Sequence, residues 1–165
     1  MKFFWSRAVL AVSVFILWLT LTSPPQGDEL LMGGLVALIL ALLPLPGTGI
    51  WGEIILFPKR ILYALMYVPV FLWAVVKSNF DVALRVLAPT LPINPGLVRV
   101  KTKLKSRMGR LILASSITLT PGTITVDMEG DELVIHWINR TSTDMEKVTK
   151  EIVGGFEGWL EVIFG

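Results

Sequence analysis

Three long runs without a charged side chain, Ala8–Leu21, Leu30–Leu45 and Ile61–Val76, fill most of the first half of the chain. Stretches like these do not face water. They are buried in protein or dissolved in lipid. Of the 165 residues, 53% are apolar and 17% charged, where a soluble domain carries about 25% charged. The charges are also unevenly spread. Residues 1–76 hold seven (Lys2, Arg7, Asp28, Glu29, Glu53, Lys59 and Arg60), and the other 21 follow. The pattern predicts an α-helical membrane segment of two or three apolar helices, at about 3–22, 30–45 and 57–76, in a membrane domain of residues 1–76. An amphipathic connector, 77–92, and a small cytoplasmic α+β domain, 93–165, come after it.

Lys2 and Arg7 before an apolar run also suit a signal peptide, but TSPP at 22–25 supplies no small-x-small cleavage site, so a retained span is expected. Phe3, Phe4 and Trp5 extend this run at headgroup level, and Arg7 at its edge snorkels to the headgroups. The connection Thr22–Glu29 is short, with two prolines and two acids, so the first two runs form a hairpin. Gly33, Ala37 and Ala41 recur every four residues. Such small residues let helix backbones approach closely in lipid, although Gly and Ala are also simply common in spans. Pro and Gly in 44–58 argue against a continuous helix there, and Pro69 kinks the third run.

Orientation follows from counting bases. Lys77–Arg110 carries eight Lys/Arg against one acid, Asp81, whereas Leu111–Gly165 carries three bases against nine acids. Three crossings from an inside N-terminus would put the basic band outside, against the positive-inside rule. Two arrangements avoid this. Either the N-terminus is outside and all three runs cross, or the first two cross and the third lies in the membrane plane or against partner subunits. Both make the protein a multi-pass protein of the cell membrane with residues 77–165 in the cytoplasm.

Beyond the membrane half the periodicity changes. Phe80–Leu87 reads as an amphipathic helix ended by APTLPINPG, Leu97–Lys101 as a strand and Ser106–Leu119 as a helix. Pro121-Gly122 sets a turn, and Thr123–Met128 with Glu132–Ile138 form a hairpin around Glu129-Gly130-Asp131. Thr143 and Glu146 make a capping box for a last helix with Val148, Ile152, Trp159 and Ile163 on one stripe. The order is β-α-β-β-α.

Residues that could carry chemistry are few. The apolar cores hold no ionisable group, which argues against an ion path within this chain alone. Glu53 is the one acid near the membrane without an obvious loop role, either a relay member or an interfacial acid beside Lys59 and Arg60. Cysteine is absent, which excludes disulfides, thiolate metal sites and thiol nucleophiles, and His136 is the only histidine, so a His-based metal site has no second histidine. His136 shares a face with Val134 and Ile138 and reads as structural. The hydroxyls of Ser115, Ser116, Thr118, Thr120, Thr123 and Thr125 lack a GxSxG or SxxK setting and read as partners for backbone groups. Arg99, Lys101, Lys103, Lys105, Arg107 and Arg110 form a solvated or headgroup-facing surface, or a docking site. No catalytic, cofactor-binding or metal residue is assigned, no cofactor is expected, and nucleic acid fits a band beside apolar spans poorly.

The segment SSITLTPGTITVDMEGDELVIHWIN, residues 115–139, resembles the signature region of the E subunits of Mrp-type multi-subunit Na+/H+ antiporters. NFDVALRVLAP at 79–89 and INPGLVRVKTKLKS at 93–106 support the resemblance. It includes the homologous subunit of antiporter modules in membrane-bound hydrogenase or sulfur-reductase respiratory complexes. The resemblance implies a non-catalytic accessory membrane subunit that contributes to assembly and monovalent cation transport. Its partners would be the other small membrane subunits and the lipid bilayer. The motif Thr118, Thr120, Pro121, Gly122, Thr123 and Thr125 looks architectural, and Gly33, Ala37 and Ala41 form a helix-packing face. A stand-alone membrane-anchored module that binds anionic lipid or a soluble partner through the basic band is the alternative.

Overall fold

The computed structural model describes residues 2–24, 26–44, 48–53, 57–142 and 144–165, which divide into compact units of residues 1–55 and 56–165. The first unit is a helical hairpin. Helix α1 spans Lys2–Leu21 and α2 spans Gly27–Leu42. The Gln26 N–H donates to Glu29 Oε2 at 3.0 Å, and Asp28 and Glu29 put negative charge on the first turn of α2, where the helix dipole favours it. Thr48–Glu53 follows as a 3-10 turn packed on α1. The rest of the loose stretch, residues 45–47 and 54–56, lies outside the described residues. Val12, Ile16 and Leu17 on α1 and Leu31, Leu35 and Leu38 on α2 are exposed, so both helices turn aliphatic side chains outward. Water would penalise that surface and hydrocarbon would not.

In the second unit a 30-residue helix, α3 (Pro58–Leu87), precedes strand β1 (Gly96–Lys101), helix α4 (Arg107–Leu119), strands β2 (Thr123–Glu129) and β3 (Glu132–Trp137), and helices α5 (Met145–Ile152) and α6 (Gly154–Phe164). Proline at the start of α3 costs nothing there, because the first turn has no intrahelical partner for an N–H. Helix α3 also runs through Pro69, which leaves the Leu65 carbonyl without its usual donor.

The three strands form an antiparallel sheet in the order β1-β3-β2. Alternation sends Val98 and Val100 of β1 and Leu133 and Ile135 of β3 to one buried face. That face packs with Leu113 and Ile117 of α4, Val148 of α5, and Phe156 and Leu160 of α6. The register slips between Thr125 and Asp127, a bulge that turns Val126 outward. Gly122 (φ +93°) and Gly130 (φ +60°) occupy the two turns whose left-handed backbone favours glycine.

Three expectations need correction. Residues 76 and 77 lie inside one helix, so the expected connector does not begin there, and the third apolar run belongs to the same compact unit as the sheet. Tyr63, Ala64, Tyr67, Phe71 and Ala74 bind it to the sheet's core. The last helix is two. It breaks at the fully buried Val153, before Gly154-Gly155, two residues of poor helix propensity. Its N-cap is Asp144, whose Oδ1 accepts from the Glu146 N–H at 3.0 Å, while Thr143 of the expected box lies outside the described residues.

Candidate functional site

Among the described residues the informative sites are seams between helices. In the hairpin, Gly33 and Ala37 are buried. A Cβ added at Gly33 would lie 2.5 Å from Trp18 Cδ1, so the indole of α1 rests directly on the α2 backbone. Arg7 is engaged within the hairpin. Its Nη1 donates to the Ala41 carbonyl at 3.1 Å and to the Leu43 carbonyl, and its guanidinium sits 5.1 Å from the Phe3 ring centroid. A cation there meets the carbonyls that end α2 and the negative end of its dipole. Glu53 closes the 3-10 turn, partly buried and engaged by its surroundings.

The second seam joins α3 to the domain. Tyr63 packs on Trp159 at 5.7 Å between ring centroids, and Tyr67 and Phe71 lie 6.2 and 6.4 Å from Phe156. The Tyr67 hydroxyl lies 2.6 Å from Ser116 Oγ, and Ser116 Oγ in turn lies 2.8 Å from the Ile112 carbonyl. A carbonyl only accepts, so Ser116 gives its proton to Ile112 and takes one from Tyr67. The sequence placed Tyr63, Tyr67 and Phe71 in the third apolar run, read as a span or as a helix in the membrane plane or against partner subunits. Their spacing of four residues was the available signal for a packing stripe.

The hydroxyl-rich segment is densely bonded. Thr120 Oγ1 donates to the Ser116 carbonyl at 2.8 Å and Thr123 Oγ1 to the Ile117 carbonyl at 2.7 Å. Thr125 Oγ1 donates to the Ala114 carbonyl at 3.1 Å, and the Thr125 N–H donates to Thr118 Oγ1 at 3.1 Å. These bonds satisfy the last carbonyls of α4 and fasten β2 to it. Ser115 with Ala114, Thr118, Leu119 and Thr125 lines a shallow depression beside them. Glu157, which the sequence did not single out, accepts from Thr102 Oγ1 and the Lys103 N–H, both at 2.7 Å, and so holds the loop after β1 on α6.

His136 is exposed on the open face of the sheet, beside Leu97 and Ile124 on the flanking strands, instead of packing as a structural residue. The basic stretch is dispersed. Arg99 and Lys101 approach Glu132 at 3.6 and 3.2 Å on that open face, and Arg110 donates to the Gly130 carbonyl at the hairpin. Among the described residues no cluster of three or more His, Asp or Glu side chains could hold a metal ion.

A family profile described as Na+/H+ ion antiporter subunit matches residues 11–163. The chain belongs to the E-type family of Na+/H+ antiporter subunits. It is 35% identical over 101 residues to the E-type Na+/H+ antiporter subunit of Alkalihalophilus pseudofirmus, covering 61% of this chain and 64% of that one. It is 28% identical over 161 residues to the E1-type Na+/H+ antiporter subunit of Staphylococcus aureus, covering 88% and 96%. A chain in the structure of the membrane-bound sulfane sulfur reductase, an archaeal respiratory membrane complex, superposes with a TM-score of 0.78 at 42% identity over 97% of this chain and 99% of that one. An E-type chain is an ion-transport subunit of a membrane assembly, and α1 and α3 are long and apolar enough to cross a membrane by length and composition.

Proposed function

We propose that this E-type chain is a non-catalytic accessory subunit of a multi-subunit cation/proton antiporter module, contributing to assembly and monovalent cation transport. The observation that carries the reading is the family match across nearly the whole chain. The 42% identity to a respiratory-complex chain, against 28% to the staphylococcal antiporter subunit, supports placing the module inside a respiratory complex of the cell membrane. Its direct partners are then the other membrane subunits of that complex.

The α1–α2 hairpin supplies the membrane anchor. Helix α2, at 16 residues, reaches about 24 Å against a hydrocarbon core of about 30 Å. That mismatch is met by local thinning or by neighbouring helices. In this reading Asp28 and Glu29 lie outside and residues 77–165 in the cytoplasm, which the positive-inside rule supports because every Lys and Arg is then inside. Gly33, Ala37 and Ala41 serve as its packing face, and the Thr118–Thr125 motif is architectural, joining α4 to the hairpin of strands.

Purification from native membranes in mild detergent tests the reading. The chain is expected to travel with companion membrane subunits, and its deletion to impair Na+/H+ exchange or their assembly. A monodisperse free monomer, together with undiminished exchange after deletion, would refute it.

A further inference from the structure

Helix α3 has two unlike sides. One is covered by the α+β domain along almost its full length. Arg60 Nη2 lies 3.6 Å from where a Gly165 Cβ would stand, Tyr63, Tyr67 and Phe71 pack on α6, and Val82 Cγ2 lies 3.6 Å from the corresponding point at Gly122. At its far end Arg85 Nη1 donates to the Pro92 carbonyl at 2.9 Å. The other side is bare. Leu65, Leu72, Trp73, Val76, Phe80 and Leu87 are 66, 54, 69, 44, 68 and 80% exposed.

Lys59, Arg60, Lys77, Asp81 and Arg85, all the charges of α3, fall within about 80° of the domain-facing direction at about 100° per residue. The apolar stripe from Ile61 to Leu87 is about 39 Å long, which exceeds a hydrocarbon core of about 30 Å. The charges of α3 bracket the charge-free run Ile61–Val76, but all fall on the side next to a domain whose residues 89–165 carry 18 charged side chains. Crossing would pull that domain into hydrocarbon, where charge is costly. Lying flat puts the stripe in the acyl boundary and keeps the domain in water.

Resting on the membrane-subunit reading, we propose that α3 is an in-plane membrane-surface helix that seats the domain on an anionic leaflet, with Lys59 and Lys77 at the headgroup phosphates. Charge complementarity selects lipid over an apolar protein groove. Two cations, Lys59 and Lys77, flank the stripe, and the one acid of α3, Asp81, is held by Arg85 at 2.7 Å. The basic α4 start lies toward the Lys59 end, because the Gly109 side-chain position is 3.2 Å from Phe164 Cβ.

The test uses the full chain reconstituted in phosphatidylglycerol-containing liposomes, with a spin label at Leu65→Cys, Trp73→Cys, Phe80→Cys or Leu87→Cys; there is no native cysteine to interfere. Collision with oxygen and with a water-soluble nickel chelate reports depth. The expected result is one shallow depth at all four positions. A depth that rises to a maximum and falls along the series would mean a crossing helix. Protection from both reagents, or free access to the chelate, would mean a protein partner or a dry-docked domain. Each of these overturns the proposal. Replacing Lys59 and Lys77 together by Glu should make the labels at least several-fold more accessible to the chelate, while tryptophan emission checks the fold. Unchanged access in an intact fold would also overturn it. Companion subunits that co-purify in any of these outcomes leave the accessory-subunit reading standing, so the two failures are distinguishable.

Discussion

The bond between Tyr67 and Ser116 ties the apolar helix to the sheet domain, and a double-mutant cycle on it measures whether that seam carries weight. Both residues are buried, at 8 and 5% exposure. Tyr67→Phe removes one donor, but the Ser116 proton stays with the Ile112 carbonyl, so about 1 kcal/mol is lost. Ser116→Ala leaves the Tyr67 hydroxyl buried with no acceptor, a deeper loss of about 2 kcal/mol. With both changes no polar group is stranded, and the cost should return to about 1 kcal/mol. Amide hydrogen exchange of the full chain, read by mass spectrometry on peptides from α4, gives these energies as opening constants. Exchange should accelerate about fivefold, about thirtyfold and again about fivefold. If the two single effects instead multiply in the double variant, the side chains do not interact. The docking of α3 on α4, and the in-plane helix built on it, would then fail.

The hairpin yields a paired prediction. Gly33→Ala pushes a methyl to 2.5 Å from Trp18 and should cost about 1–3 kcal/mol. The adjacent Gly34→Ala meets nothing within 4 Å and should stabilise α2 by up to about 1 kcal/mol, the two shifting detergent unfolding in opposite directions. In the turn after α4, Gly122→Ala combines φ +93° with a contact of 3.0 Å to Ile138 Cγ2. It should lose about 1–3 kcal/mol in thermal unfolding, whereas Gly155→Ala, with open space around it, should not destabilise. Leu133→Ala in the middle strand empties a fully buried site and should cost about 2–5 kcal/mol in denaturant unfolding. Arg7→Met removes the donor to the α2 carbonyls but keeps an apolar stem. If hairpin protection in hydrogen exchange is unchanged, the guanidinium bonds to Ala41 and Leu43 contribute nothing.

Much of the local architecture was legible in the residue order. Alternating residues marked β1, β2 and β3, Pro121-Gly122 and Gly130 marked the turns, and long charge-free runs marked the apolar helices. Each of these patterns lives within a few residues, because backbone geometry repeats every two residues in a strand and every 3.6 in a helix. What charge-free runs do not carry is the identity of their solvent. Ile61–Val76 reads like a span, and only the tertiary structure shows one side of its helix closed by α6 and α4. The Tyr67–Ser116 bond joins residues 49 apart in sequence. Trp18 on Gly33 and Arg7 on the α2 carbonyls are likewise long-range choices. So is the exposure of His136, which depends on which sheet face the helices cover. Lipid, a protein core and an interface all accept the same leucines. The sequence therefore determines that the helix is apolar, and the packing of its aromatic stripe decides which side meets protein.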